Sequence, residues 1–312
     1  MKPVKLAKSD DGFRILNEWH DRFESRLSFE TRTERVNTSF GFTDVMITGP
    51  EESQDSSSIV ILHGATAGAP FALGELQDLP GRQRFYTVNI PGQSTRAEQV
   101  RLDFRTDEYS CWLCEVLDQL SIERATVCGV SWGGSVALQL AKHNPDRISG
   151  LILVVPGSIV RGPVLKGIWE IGLPMLRFKL FPTQKNSDRA VRKIFTTSDE
   201  YWSPYIADAM RYWNVDFSVP PLVSKNDMAS LNAPVFVIAA DKDLSFPGEP
   251  LIARSYSIFP NLIGAHLLKN SHHCPSFESD DRRRFTQIFE SALESIHAAL
   301  PSALCVQAEE KH

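Results

Sequence analysis

The sequence predicts an α/β protein: a mostly parallel, eight-stranded sheet flanked by helices, with a helical segment inserted late in the sheet. Three observations predict it. Short, continuously apolar runs recur along the chain, the pattern of strands buried on both faces. Helical patterns separate most of these runs, and that alternation builds a parallel sheet. One stretch, residues 158–231, breaks the alternation with helical character and no clear strand.

Each element has its own signal. Residues 10–27 read as an amphipathic helix, with Phe13, Leu16, Trp19, Phe23 and Leu27 at helical spacing. Two strands follow, at residues 34–39 and 44–48, and then a polar turn at 51–58. The apolar runs at 58–62, 85–90, 125–130, 150–155, 234–240 and, more weakly, 264–268 complete the eight strands. Helices are expected at 107–120, 132–143, 250–258 and 279–299. The organisation expected is a helical extension (1–32), a core in two pieces (33–157 and 232–300), a helical cap (158–231) and a disordered polar tail (301–312).

Bulk properties narrow the function classes. A chain of 312 residues, 42% hydrophobic and 23% charged, is long enough to bury a sizeable core in one large domain, or in one domain with an insertion. Its net charge of −5 lacks the basic footprint that nucleic acid demands. Lysines near the start are followed by no apolar run, so neither a secretory signal nor a membrane span is expected. Cys111, Cys114, Cys128, Cys274 and Cys305 are odd in number and irregular in spacing, which suggests no disulfide framework. Cys111 and Cys114 form a C-x-x-C pair, but within a helical pattern, and no second pair completes a zinc site. An intracellular, cytoplasmic protein is expected. Oligomeric state is not legible.

The chemistry-bearing feature is Gly129-Val130-Ser131-Trp132-Gly133, a G-x-S-x-G pattern. A buried strand precedes it and a helix follows at once. A sharp strand-to-helix turn lifts the serine Oγ into a cleft, and small residues on either side leave room for the turn. The helix N-terminus presents unpaired N–H groups and partial positive charge, so the Trp132 amide can face a developing oxyanion. Serine also needs a base, and the base an acid. Asp241 and Asp243 follow the run at 234–240, and His272 and His273 follow the run at 264–268. The order Ser, acid, His suits this topology.

These motifs resemble the α/β-hydrolase superfamily over about residues 35–300. The family pattern G-x-x-D-x-x-x-P is similar to Ala240-Asp-Lys-Asp243-Leu-Ser-Phe-Pro247, with alanine for glycine. The resemblance implies Asp243 as the acid and makes Asp241 a turn residue. The family's G-H-x-P loop resembles His272-His273-Cys274-Pro275, which implies His273 as the base, although His272 stands where a small residue is usual. His63-Gly64-Ala65 resembles the H-G-x oxyanion loop, implying the Ala65 N–H beside the Trp132 N–H, with His63 bracing the loop. Asn89 to Ser94 resembles the D-x-x-G-x-G-x-S loop, with Asn89 in the usual aspartate position. Trp132 also occurs in proline iminopeptidase-like relatives, but their H-G-G-P-G loop is only partly matched. Epoxide hydrolases and haloalkane dehalogenases use an aspartate nucleophile, and Ser131 argues against both.

The implied function is a carboxylesterase-like serine hydrolase that cleaves esters of small or medium-sized apolar substrates, with no metal or organic cofactor required. Amide, lactone and carbon–carbon hydrolysis use the same residues, and a non-catalytic binding protein on this fold is the alternative of another class. The expected partner is a small-molecule substrate. Aromatic residues concentrate in 158–231, and Trp169, Trp202, Tyr205 and Trp213 are its candidate substrate contacts.

Overall fold

The computed structural model describes residues 5–50, 58–76, 83–197, 199–216 and 218–300, together with the backbone of residues 2–3. The polar turn expected at 51–58 lies outside these residues except for Ser58, and the tail at 301–312 lies wholly outside them.

Eight strands form one sheet. They are β1 (Arg32–Thr38), β2 (Gly41–Thr48), β3 (Ser58–Leu62), β4 (Phe85–Val88), β5 (Ala125–Val130), β6 (Ile148–Val154), β7 (Val235–Ala240) and β8 (Leu262–Leu268). Their order across the sheet is β8-β7-β6-β5-β3-β4-β2-β1. The five pairings from β8 to β4 are parallel, and β2 joins β4 and β1 by antiparallel pairing. The central strands read as continuous apolar runs because helices cover both faces. Alternate residues go to opposite sides: Val60, Leu62, Val127, Leu151 and Leu153 face one cluster, while Ile59, Ile61, Cys128, Ile152 and Val154 face another. Each fully buried aliphatic side chain contributes about 1.5–3 kcal/mol of transfer free energy.

The flanking helices follow from that division. The first cluster packs on α3 (Glu108–Gln119), α4 (Trp132–His143) and α9 (Gly248–Ile258) through Trp112, Val116, Val136, Leu140 and Leu251. The second packs on α2 (Ala69–Gly74) and α10 (Ser279–Ala299) through Leu73, Phe285, Phe289 and Ile296.

Between β6 and β7 the chain inserts α5 (Val164–Gly167), a π-helical stretch (Ile168–Gly172), α6 (Leu173–Leu180), α7 (Gln184–Val191) and α8 (Trp202–Tyr212). Helix α1 (Asp10–Glu24) packs on this insertion. It starts at Ser9, whose Oγ accepts the Gly12 N–H, and ends three residues earlier than the periodicity predicts. The Ser25 N–H still bonds back to the Asp21 carbonyl, and the Ser25 hydroxyl closes on the Arg22 carbonyl. A third cluster joins Leu6, Leu16, Trp19 and Phe23 to Phe71 of α2 and to Tyr205, Ala209 and Trp213. The Trp19 indole N–H donates to Asp208, 2.8 Å away, and the Lys8 ammonium donates to the Arg211 carbonyl near the α8 C-terminus at 2.8 Å. The β-bridge between Ala7 and Trp213 completes the seam.

Candidate active site

Ser131 sits between the end of β5 and the first turn of α4, with φ of +51°. A non-glycine residue in that region is strained, and the surrounding backbone must hold it there. The Ser131 N–H donates to the Val154 carbonyl at 2.9 Å, and its own carbonyl accepts from Gly157 at 2.9 Å. Glycine is required beside it on contact grounds. A Cβ on Gly133 would lie 2.2 Å from the Leu62 carbonyl oxygen, and one on Gly129 would lie 2.6 Å from the Gly133 carbonyl oxygen. As the first residue of α4, Trp132 has a backbone N–H that the helix leaves unpaired. Its ring points into the core, edge-on to Phe104.

The structure brings Ser131, His273 and Asp243 into one hydrogen-bonded chain. His273 Nε2 lies 2.9 Å from Ser131 Oγ, and His273 Nδ1 lies 2.7 Å from Asp243 Oδ2. The Asp243 side chain has no exposed surface, but it is not stranded. Its Oδ1 accepts N–H bonds from Ser245 at 2.7 Å and Phe246 at 3.0 Å, which is how a buried carboxylate is satisfied. Burial opposes charge on His273, yet the Asp243 charge and hydrogen bond outweigh it and hold the imidazole above its ordinary pKa.

The neighbouring aspartate and histidine do other work. Asp241 accepts the N–H groups of Asn270 and Ser271, each at 3.0 Å, and so ties the histidine loop to the end of β7. The His272 ring turns to the Lys242 carbonyl, 3.2 Å away, where its Nδ1–H is the donor. Sequence reasoning missed the partner on the other side of this loop, Thr196 of the insertion. Its hydroxyl accepts the His272 N–H at 2.9 Å and donates to the Cys274 carbonyl at 2.7 Å. A lone threonine in an irregular segment carries no periodic signal that would mark it.

The loop after β3 is braced from beneath. His63 is fully buried and accepts the Ile90 N–H on Nε2 at 2.9 Å, so Nδ1–H donates to the Gly64 carbonyl at 2.7 Å. Burial pushes its pKa down to about 4, so the ring is neutral and this tautomer is fixed. Gln93 accepts the Thr66 N–H at 3.0 Å. The Tyr205 hydroxyl donates to the Thr66 carbonyl from above.

Ser131 and His273 open onto a cavity of about 310 Å³, lined mainly by apolar side chains. Ala65 lies on its wall, as do Phe71, Met175, Phe195, Trp202 and Phe277. Of the four aromatic residues expected to contact substrate, the structure brings Trp202 to the cavity and places the other three elsewhere. Trp169 is 70% exposed on the outer surface. Tyr205 and Trp213 are buried in the cluster against α1. Aromatic composition marks a segment as rich in contact surface but not which face of each helix meets the cavity.

Glu75 is the one acidic residue lining the cavity among the described residues. Its Oε1 accepts the Trp202 indole N–H at 3.2 Å. Burial pushes its pKa up to about 7, against the opposing charge of Arg282. A separate group, His20, Asp21 and Glu24 on α1, brings three potential metal-ligand atoms within 4.8 Å of one another. There the Arg96 guanidinium already pairs with Asp21.

Comparison with known proteins shows the family and the fold. Residues 59–286 match the family described as "Alpha/beta hydrolase family". The chain belongs to that family. It is 23% identical over 278 residues to the uncharacterized carboxylesterase nap of Bacillus subtilis, covering 86% of this chain and 89% of that one. Among solved structures, naproxen esterase (carboxylesterase NP) from Bacillus subtilis superposes with a TM-score of 0.74 at 19% identity, over 90% of this chain and 99% of that one. Carboxylesterase CesB (YbfK) from Bacillus subtilis gives 0.70 at 19% identity, over 91% and 98%. These likenesses are to the fold of an α/β hydrolase, which many chemistries share.

Proposed function

We propose that this α/β hydrolase is a carboxylesterase that cleaves esters of small or medium-sized apolar substrates through an acyl-enzyme on Ser131. The observation that carries the reading is the Ser131–His273–Asp243 chain, closed at 2.9 and 2.7 Å and opening onto an apolar cavity. A curated relative that matches 86% of this chain carries the carboxylesterase name, which supports the same reading.

The geometry supports the following catalytic cycle. His273 takes the Ser131 proton as Oγ attacks the ester carbonyl carbon. Asp243 orients the imidazole and stabilises its cation. The Ala65 and Trp132 N–H groups form the oxyanion hole, and losing one such donor costs roughly 3 kcal/mol of barrier. His273 then protonates the leaving alcohol, and an activated water cleaves the acyl-enzyme. Residues 158–231 act as a cap, with residues 1–32 as an extension buttressing it. A volume of about 310 Å³ suits a small or medium-sized substrate. The described cysteines, Cys111, Cys114, Cys128 and Cys274, are free thiols, which supports a reducing, cytoplasmic location.

A fluorophosphonate probe tests the nucleophile, and a panel of nitrophenyl esters and Pro- or Ala-arylamides tests the bond. The expected result is an adduct on Ser131 and ester turnover well above arylamide turnover. Absence of an adduct would point to a non-catalytic binding protein. Faster arylamide cleavage would replace the esterase reading with an amidase one.

A further inference from the structure

The helical stretch that opens the insertion has an outer surface that leaves large apolar groups uncovered. Eight of the twelve exposed large hydrophobics among the described residues lie between residues 164 and 181. Leu165, Trp169 and Leu180 are 76%, 70% and 64% exposed, and Leu173 and Leu176 stand between them at spacings of three and four residues. The inner side of the same stretch is also apolar. Met175 lines the cavity, and Phe178 is 3% exposed. A helix apolar on both sides belongs in a buried setting. A concentrated apolar patch on a protein surface marks a place where something docks.

Charge identifies the occupant. The chain carries a net charge of −5, yet residues 158–197 hold eight Lys and Arg residues against two acids, Glu170 and Asp188. Lys166, Arg177 and Lys179 are exposed and interleave with the apolar positions. A second copy related by a two-fold axis would bring this basic face against itself, and like charges across an interface are costly. An anionic bilayer complements both features. Its headgroup boundary accepts Leu and Trp side chains, and its phosphates attract Lys and Arg. No helix among the described residues is long and apolar enough to cross a membrane, so the contact is peripheral.

We propose that the outer face of residues 164–181 docks on an anionic phospholipid surface. The Leu165, Trp169, Leu176 and Leu180 side chains enter the headgroup boundary, and Lys166, Arg177 and Lys179 meet lipid phosphates. Because Met175 lies on the cavity side of the same stretch, esters dissolved in the bilayer gain a short route to Ser131. That last step rests on the esterase reading, whereas docking does not.

Co-sedimentation of the full chain with vesicles tests the proposal. The vesicles are phosphatidylcholine alone, or phosphatidylcholine with phosphatidylglycerol. The expected bound fraction is about fivefold or more higher on the anionic vesicles at low salt, and it falls in about 0.5 M NaCl. Leu165→Glu with Leu180→Glu is expected to reduce that binding to the neutral-vesicle level. Its circular dichroism, thermal midpoint and turnover of a water-soluble short-chain ester stay at wild-type values. Lys166→Glu with Lys179→Glu is expected to remove the anionic preference while keeping the apolar face. The proposal is overturned if wild type does not pellet with anionic vesicles, or if the leucine variant pellets equally. It is also overturned if sedimentation velocity shows a dimer that the leucine variant dissociates while no vesicle binding occurs. Because vesicle binding is read without turnover, an inactive but binding protein would refute the esterase reading alone.

Discussion

The Tyr205 hydroxyl of helix α8 donates to the Thr66 carbonyl, so the insertion between β6 and β7 is fastened to the loop that carries Ala65. The same insertion grips the histidine loop through Thr196 and the Cys274 carbonyl. Two loops that the proposed reaction depends on are therefore held by a segment that contributes none of Ser131, His273 or Asp243.

Tyr205→Phe keeps the buried ring and removes only that hydroxyl. We expect a loss of about 1 kcal/mol, a fall of about 2 °C in Tm, and a drop in kcat of roughly 3- to 10-fold as the Ala65 amide loses its fixed position. KM should change little. Parallel melts and steady-state kinetics on a short-chain ester check it, and an unchanged kcat would mean the loop is held by His63 and Gln93 alone.

Ser131→Ala removes the proposed nucleophile from a turn whose backbone is pinned independently by Val154 and Gly157. Turnover should fall by roughly 10⁴-fold or more. Probe labelling should vanish, and circular dichroism should be unchanged. Retained activity in this variant would be incompatible with the acyl-enzyme.

Activity should rise with pH through a value above the ordinary imidazole pKa of about 6.5, because in the proposed cycle His273 must be neutral to accept the Ser131 proton, and the Asp243 charge favours its cation. In Asp243→Asn the supporting charge is gone and burial remains, so the ascending limb of kcat/KM should move to lower pH. The rate should fall by roughly 10³- to 10⁴-fold. The sign for stability is opposite to that for rate. A raised folded-state pKa means that protonated His273 stabilises the native state below the ordinary value, and that increment is lost as pH rises through the folded value. A limb that stays in place in the variant would show that another group controls it.

Glu75, held near 7 by burial, should make the protein less stable as pH rises from its ordinary value of 4.5 toward 7, because the native state disfavours the charged carboxylate. Glu75→Gln keeps a carbonyl oxygen for the Trp202 N–H and cannot ionise. Thermal melts at pH 5 and pH 8 should show a larger drop in wild type than in the variant. Equal drops would place the pH sensitivity elsewhere.

The sheet and the site were legible to different depths. The strands at 58–62 and 125–130 and the helices at 132–143 and 279–299 match their sequence expectations in both bounds. Their apolar runs and helical periods are local signals, and burial on the central sheet reinforces them. The strand, turn and helix around Ser131 were readable because their signals are contiguous. Choosing between His272 and His273 from residues alone was not possible, since the choice depends on which ring the Thr196 and Asp241 contacts turn toward Ser131. The roles of Tyr205 and Glu75 were invisible for the same reason: each is defined by a partner more than a hundred residues away, Thr66 and Trp202.

The packing of α1 on α8 also constrains how the protein is made. Trp19 meets Asp208 across 189 residues of chain, an interval that a ribosome takes about 10–40 s to traverse. Throughout that time Leu16, Trp19 and Phe23 have been synthesised and their partners on α8 have not. The nascent chain thus presents an amphipathic helix that can reach Phe71 of α2 early, long before the α8 part of its docking surface exists. Until α8 emerges, that part of the apolar face is open to aggregation.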